Sequence, residues 1–302
     1  MQIQEEMKAM KKRSDIRIRD PFILTDKENG CYYMYGTTAL GNGTIAAFNT
    51  FSVYKSYDLE VFEEPKVVVD GTKLGLRGNR DFWAPEVHKY NGKFYMFATF
   101  YVEDKSRGRG VNVLVADRPE GPYVPNGEPI TPADWMCLDG TLYVEKGVPY
   151  MIFCHEWVQV KNGEMCLVQL SEDLTRAVSE PKLLFKAADP EWVPKNDNGV
   201  YVTDGPFLYN TQDGKLIMLW STFGKGGYAE AVAVSEDGTI NGKWKHCALP
   251  LSASNGGHGM LFKSFDGKLY FTMHAPNNPR GAERVCLFEM EEIPEEPYLR
   301  FK

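Results

Sequence analysis

The chain has 302 residues, 43% hydrophobic and 13% aromatic, with 28 glycines and 18 prolines spread along it, which fits a turn-rich globular protein and excludes a coiled coil or a disordered chain. Its formal net charge of −7 argues against nucleic acid as a partner. No apolar run approaches the roughly 20 residues that span a bilayer, so no membrane role is expected.

The N-terminus, MQIQEEMKAMKKRSD, has neither an apolar h-region nor a small-residue cleavage signal. A cytoplasmic location is expected, with a secreted or periplasmic protein that has lost its signal peptide as the alternative. Residues 1–14 read as a polar tail, with a possible helix over 2–12, and 15–302 as a single domain without a linker. The basic runs KKRSDIRIR (11–19) and KSRGR (105–109) read as solvated surface. NGT (42–44) is a sequon that matters only after export.

From residue 20 onward one pattern recurs five times: a tight-turn head, a short apolar strand, a glycine turn, and a strand rich in Tyr, Phe and Met. Its copies are DPFIL with GCYYMYGTT, APEVHKY with GKFYMFATF, DGTLYV with GVPYMIFCHE, DGPFLY with GKLIMLWSTF, and HGMLF with GKLYFTMHAP. Aligned heads place Asp20, Ala84, Asp139, Asp204 and His258 at one phase, separated by 64, 55, 65 and 54 residues. Further candidate strands such as VNVLVAD (111–117) and YAEAVAVSE (228–236) bring each unit to four. Four-stranded units repeated about an axis describe an all-β, five-bladed β-propeller. Recurring Gly-His and Trp-Asp signatures of a protein-interaction propeller are absent.

In a propeller, successive innermost strands line the central channel, so the heads converge. Asp20, Asp139 and Asp204 then supply what glycoside hydrolysis needs: an ionised carboxylate to activate water, a protonated one to assist the leaving group, and a third to raise the acid's pKa. The six cysteines show no CxxC or metal-ligand spacing, and Cys31, Cys154, Cys166 and Cys286 read as buried free thiols. Phe82 and Trp83, before the second head, are candidates to stack on a sugar or to fill the core. His155 ends a strand in the third unit, where HEWVQ lacks the HExxH zinc pattern, and is a candidate sugar contact. Arg284 is a candidate substrate-binding cation or a rim ion pair, and GKGG (224–227) is a turn rather than a phosphate loop.

The heads IRIRDPFIL, FWAPEV, LDGTLYV and TDGPFLY, in this order over residues 15–290, resemble glycoside hydrolase family 43. The resemblance implies a five-bladed propeller acting with inversion as an arabinofuranosidase, xylosidase or arabinanase on oligosaccharide or polysaccharide. It implies Asp20 as general base, Asp139 as pKa modulator and orienter, and Asp204 as general acid. No cofactor is required, although similar propellers often hold a hydrated calcium on the axis, which would engage His258 through water; equally, His258 is a candidate substrate contact that hydrogen-bonds without a metal. The family generally carries Glu before Gly-Pro. Asp204 is one methylene, about 1.5 Å, shorter. A working acid in a compact site, transfer of the role to Glu191 or Glu230, and a weakly active or purely carbohydrate-binding propeller all follow as readings. An exo-acting enzyme releasing L-arabinofuranosyl or D-xylosyl units is the leading expectation; sugar, linkage and oligomeric state are not set by the sequence.

Overall fold

A computed structural model describes residues 10–38, 49–73, 81–101 and 108–302. Five antiparallel sheets follow one another along the chain. Their innermost strands are Arg19–Asp26, Trp83–Tyr90, Cys137–Glu145, Asp204–Asn210 and Gly257–Lys263, and each touches the next, with the fifth returning to the first. This closed ring is the five-bladed propeller that the repeat announces.

Each innermost strand hairpins into a strand buried on both faces, and the turn between them carries a glycine: Gly30, Gly92, Gly147, Gly214 or Gly267. All five have φ between +62° and +86°, which glycine adopts without cost, so the turn glycine repeats with the blade. Packing between sheets supplies the core, in which Tyr35, Phe97, Phe153, Trp220 and Phe271 are fully buried. Six cysteines are free; five are buried, while Cys286, expected among the buried ones, is half-buried.

Met10–Lys12, expected in a helical tail, is a strand. It pairs with Val61–Glu63 and extends the first blade outward, because edge backbone groups there find a partner the tail can supply. The sequon at 42–44 lies outside the described residues.

Ring closure between blades five and one uses side chains rather than a shared sheet. Arg17 and Arg19 reach Glu283, Arg284 Nε donates to the Ser14 carbonyl at 3.0 Å, and Thr25 Oγ1 donates to the Lys263 carbonyl at 2.8 Å. Across the axis, Phe22 of blade one meets Phe207 of blade four edge-on, with ring centroids 6.4 Å apart. These two rings narrow the channel beneath the heads.

Candidate active site

Every innermost strand begins with a bulge, where two residues fail to pair with the neighbouring strand. The first unpaired residue takes a left-handed conformation in all five blades: Asp20 (φ 54°), Ala84 (43°), Asp139 (55°), Gly205 (51°) and His258 (54°). Such geometry costs about 1–3 kcal/mol at a residue with a side chain and gathers at functional sites. It also corrects the head alignment. Gly205, not Asp204, is the fourth blade's equivalent of Asp20, and Asp204 pairs with Ser221 as Arg19 pairs with Thr37. A Cβ on residue 205 would lie 2.7 Å from the His258 ring, so only glycine fits there.

A ring of hydrogen bonds holds these heads. The backbone N–H of each head donates to a side chain of the preceding blade's second strand: Ala84 to Thr37 Oγ1 (2.8 Å), Asp139 to Thr99 Oγ1 (2.9 Å), His258 to Ser221 Oγ (2.7 Å) and Asp20 to His274 Nδ1 (3.2 Å). For the fourth blade's head the corresponding residue is Cys154 of the third blade, a poor acceptor, and Gly205 N–H instead donates to Asp139 Oδ2 at 3.0 Å. Thus Asp139 is tied to the backbone that carries Asp204.

The three aspartates and His258 line one cleft of about 530 Å³. Asp20 Oδ2 accepts from Thr37 Oγ1 at 2.7 Å, and Asp20 Oδ1 lies 3.2 Å from His258 Nδ1. Burial works against its ionised form, but the charge on His258, the Arg19 guanidinium and the Thr37 hydroxyl outweigh it and hold Asp20 below the usual carboxylate value. His258 shows the reverse balance: burial disfavours its charge, yet Asp20, Asp139 and Asp204 lift it to about 9. His274 is pushed by burial down to about 4; being neutral, it accepts the Asp20 N–H on Nδ1 and faces Asn277 Oδ1 with Nε2.

Asp139 and Asp204 go the other way. Burial raises both; His258 opposes it in each, and Asp20's charge adds to it in each. Tyr228 donates to Asp204 Oδ2 at 2.9 Å. One cleft thus holds one aspartate that favours ionisation and two that favour their protons, Asp139 being pushed up to about 8.

The other expected site residues divide. Trp83 lines the cleft under the Arg109 guanidinium, 4.4 Å from the ring centroid, whereas Phe82 turns the opposite way and stacks on Phe100 in the core. His155 does not reach the cleft: its nitrogens lie 3.1 Å from Glu164 Oε2 and 2.9 Å from Gln159 Oε1, and its ring stacks on Trp135. The next residue, Glu156, lines the cleft instead. Arg284 serves ring closure, and among the described residues the arginines that line the cleft are Arg17, Arg19, Arg109 and Arg280. The basic runs, expected to be solvated surface, thus supply three of the four.

Glu191 is exposed and does not line the cleft. Glu230 is fully buried behind the heads, where Oε2 accepts from Ser221 Oγ at 2.7 Å and from Gly259 N–H at 3.1 Å. Arg109 bridges Glu156 and, at 2.5 Å, Asp81, making a buried ion triad on the wall. Tyr228, Thr37, His274 and this triad carry no motif of their own; the recurrence of a hydrogen-bonding residue at one phase of the second strand is the signal that finds Thr37, Thr99, Ser221 and His274.

Among the described residues, no three His, Cys, Asp or Glu side chains are grouped to ligate a metal. His258 Nδ1 is engaged by Asp20, and a calcium ion, which takes six to eight oxygens, would need water for nearly all of them.

The sequence profile of Glycosyl hydrolases family 43 matches residues 14–290. The chain belongs to glycosyl hydrolases family 43. An endo-arabinase from Bacteroides thetaiotaomicron VPI-5482 has a similar structure, with TM-score 0.84 and 40% identity over 94% of this chain and 97% of that one. Xylosidase/arabinosidase 43A of Humicola insolens is 31% identical over 110 residues, 34% of this chain and 32% of the relative. An extracellular exo-α-(1→5)-L-arabinofuranosidase of Streptomyces chartreusis is 24% identical over 182 residues, 57% of this chain and 53% of the relative. The matches to these two curated relatives therefore span about a third to a half of their length.

Proposed function

We propose that the protein is an inverting, exo-acting glycosidase that removes L-arabinofuranosyl or D-xylosyl residues from plant-type oligosaccharides or polysaccharides. Asp20 acts as general base, Asp204 as general acid, and Asp139 orients the acid and raises its pKa. The reading is supported by the convergence of Asp20, Asp139 and Asp204 in one cleft, whose surroundings favour the ionised form of Asp20 and the protonated forms of Asp139 and Asp204. Two titrating groups pushed apart by their surroundings divide base and acid roles between them.

Asp20, ionised, takes a proton from a water as its oxygen bonds to the anomeric carbon. The bond to the leaving oxygen breaks, and Asp204 passes its proton to that oxygen, so the sugar leaves inverted. His258, cationic between Asp20 and Asp139, keeps Asp20 ionised without ion-pairing it away from the cleft. Trp83 offers a face for the sugar ring. No step passes through a metal; a calcium ion would be held through water at His258 and would add charge on the axis.

A panel of nitrophenyl α-L-arabinofuranoside, β-D-xyloside and galactofuranoside, with proton NMR of the first product formed, tests this. Release of one sugar with inversion, lost by about 10²–10⁴ in Asp20→Asn, is expected. Retention, or full activity in Asp20→Asn, sinks the assignment. A second reading, carbohydrate binding without cleavage, draws on the short side chain at 204; binding without turnover on every glycoside would favour it. The endo-arabinase resemblance makes product length a third readout: internal cleavage of linear arabinan would replace the exo assignment.

A further inference from the structure

One flank of the cleft carries more positive charge than its surroundings neutralise. Arg17, Arg19 and Arg280 line it, in a chain whose net charge is −7. Among the described residues Glu283, whose side chain is fully buried, is the one carboxylate that ion-pairs with this flank, and Asp20 adds its charge beside Arg19. Glu283 is already engaged by Gly281 N–H at 2.6 Å, Arg19 Nη1 at 3.2 Å and Arg17 Nε at 3.4 Å.

The three arginines are not equivalent. Arg19 is fixed, with Nη2 donating to Asn277 Oδ1 at 2.5 Å, and its charge helps to keep Asp20 ionised. Arg17 spends only Nε, on a long bond, and its two terminal nitrogens have no partner among the described residues. Arg280 is exposed and has no hydrogen bond or ion pair among them. Neither Arg17 nor Arg280 is among the principal groups that set the ionisation of Asp20, Asp139 or Asp204. Balancing the catalytic carboxylates therefore does not explain them.

Elsewhere the cleft is lined by Trp83, Trp157 and Phe223, and the last two expose about two fifths of their surface. Aromatic faces stack on sugar rings, while a guanidinium offers a planar fork that matches a carboxylate with two parallel hydrogen bonds. An otherwise acidic protein would repel an anionic glycan, and a local cationic flank reverses that at the cleft.

We infer that Arg17 and Arg280 bind the carboxylate of a hexuronic acid, so that the glycan this protein takes carries a uronic acid next to the sugar at the aspartates. The inference rests on the glycosidase reading for its catalytic meaning, but not for its binding test.

The test is isothermal calorimetry on the full chain with glucuronic acid, galacturonic acid and the methyl ester of each, which removes the charge and keeps the ring. At least one acid should bind about tenfold more tightly than its ester, a difference of about 1.4 kcal/mol, and the preference should shrink as salt is added. In the Arg17→Gln/Arg280→Gln double variant the acid and its ester should bind alike, with a retained cooperative unfolding transition as the check on folding, its midpoint lowered by loss of the Arg17–Glu283 contact; Arg17→Lys/Arg280→Lys should keep part of the preference. Equal binding of acids and esters by the natural protein, or a preference that survives the double glutamine variant, overturns the inference. Uronate preference in a protein that cleaves no glycoside would sink the hydrolase reading and leave this one standing; turnover of neutral arabinosides with no preference for charge would do the opposite.

Discussion

Tyr228 donates its phenolic hydrogen bond to Asp204 Oδ2 across 2.9 Å, and burial holds the Tyr228 hydroxyl protonated well beyond its ordinary range. The donor fixes one oxygen of the short acid. It leaves the other, Oδ1, to carry the proton, so the bond that pulls Asp204 toward ionisation also orients it.

Removing that bond separates the two effects. Tyr228 favours the ionised form of Asp204, so Tyr228→Phe raises the acid's pKa further, and the alkaline limb of kcat/KM is expected to move to higher pH. The maximal rate should fall by about two- to tenfold, the size of one hydrogen bond to a neutral group, about 0.5–1.5 kcal/mol. A limb that moves to lower pH would show that Tyr228 acts otherwise.

Thr37 serves two groups at once, accepting the Ala84 N–H and donating to Asp20 Oδ2. Thr37→Val leaves a buried N–H unpaired, at a cost of about 1–3 kcal/mol in denaturant unfolding. It also removes a bond that holds Asp20 below its ordinary pKa, so the acidic limb of kcat/KM should move upward in pH. Thr37→Ser should restore both.

Glu230 tests the alternative acid. Burial pushes it up to about 8, so it is neutral at pH 7, and Oε1 has no partner. Because its folded pKa is raised, the stability it contributes is complete below its unfolded value and drains away as pH rises through about 8. Glu230→Gln, which cannot ionise, should keep activity and flatten the fall in unfolding free energy between pH 5 and 8. A loss of about 10²–10⁴ in rate would instead make Glu230 the proton donor.

Arg109 neutralises Glu156 and Asp81 in the cleft wall. Arg109→Met leaves two carboxylates facing each other without a counter-charge, and unfolding should show a loss of about 3–5 kcal/mol. A change below about 1 kcal/mol would mean that water already screens the triad.

The five turn glycines, the aromatic second strands and the order of the heads made the propeller legible, because each blade repeats one local pattern with one local cause. What the pattern could not give was the bulge: it shifts pairing inside the strand, so Asp204 was aligned where Gly205 belongs. At the ends of two strands, Phe82 goes to the core and Trp83 to the cleft, and His155 turns away while Glu156 faces in; one residue decides, and adjacency in sequence hides it. The arginines were unreadable for another reason. Glu283, which holds Arg17, lies 266 residues further along the chain, and Glu156 lies 47 beyond Arg109, so nothing near either basic run announces a partner.

The role of Asp204 is tested most directly by the dependence of Asp204→Asn on the leaving group. A glycoside with an activated aryl leaving group needs no proton, whereas an oligosaccharide with a sugar leaving group does. Asp204→Asn should lose about 10²–10⁴ in kcat/KM on the oligosaccharide and much less on the activated aryl glycoside, with the alkaline limb abolished. Equal losses on both substrates, or an alkaline limb that persists, would show that the proton comes from another group.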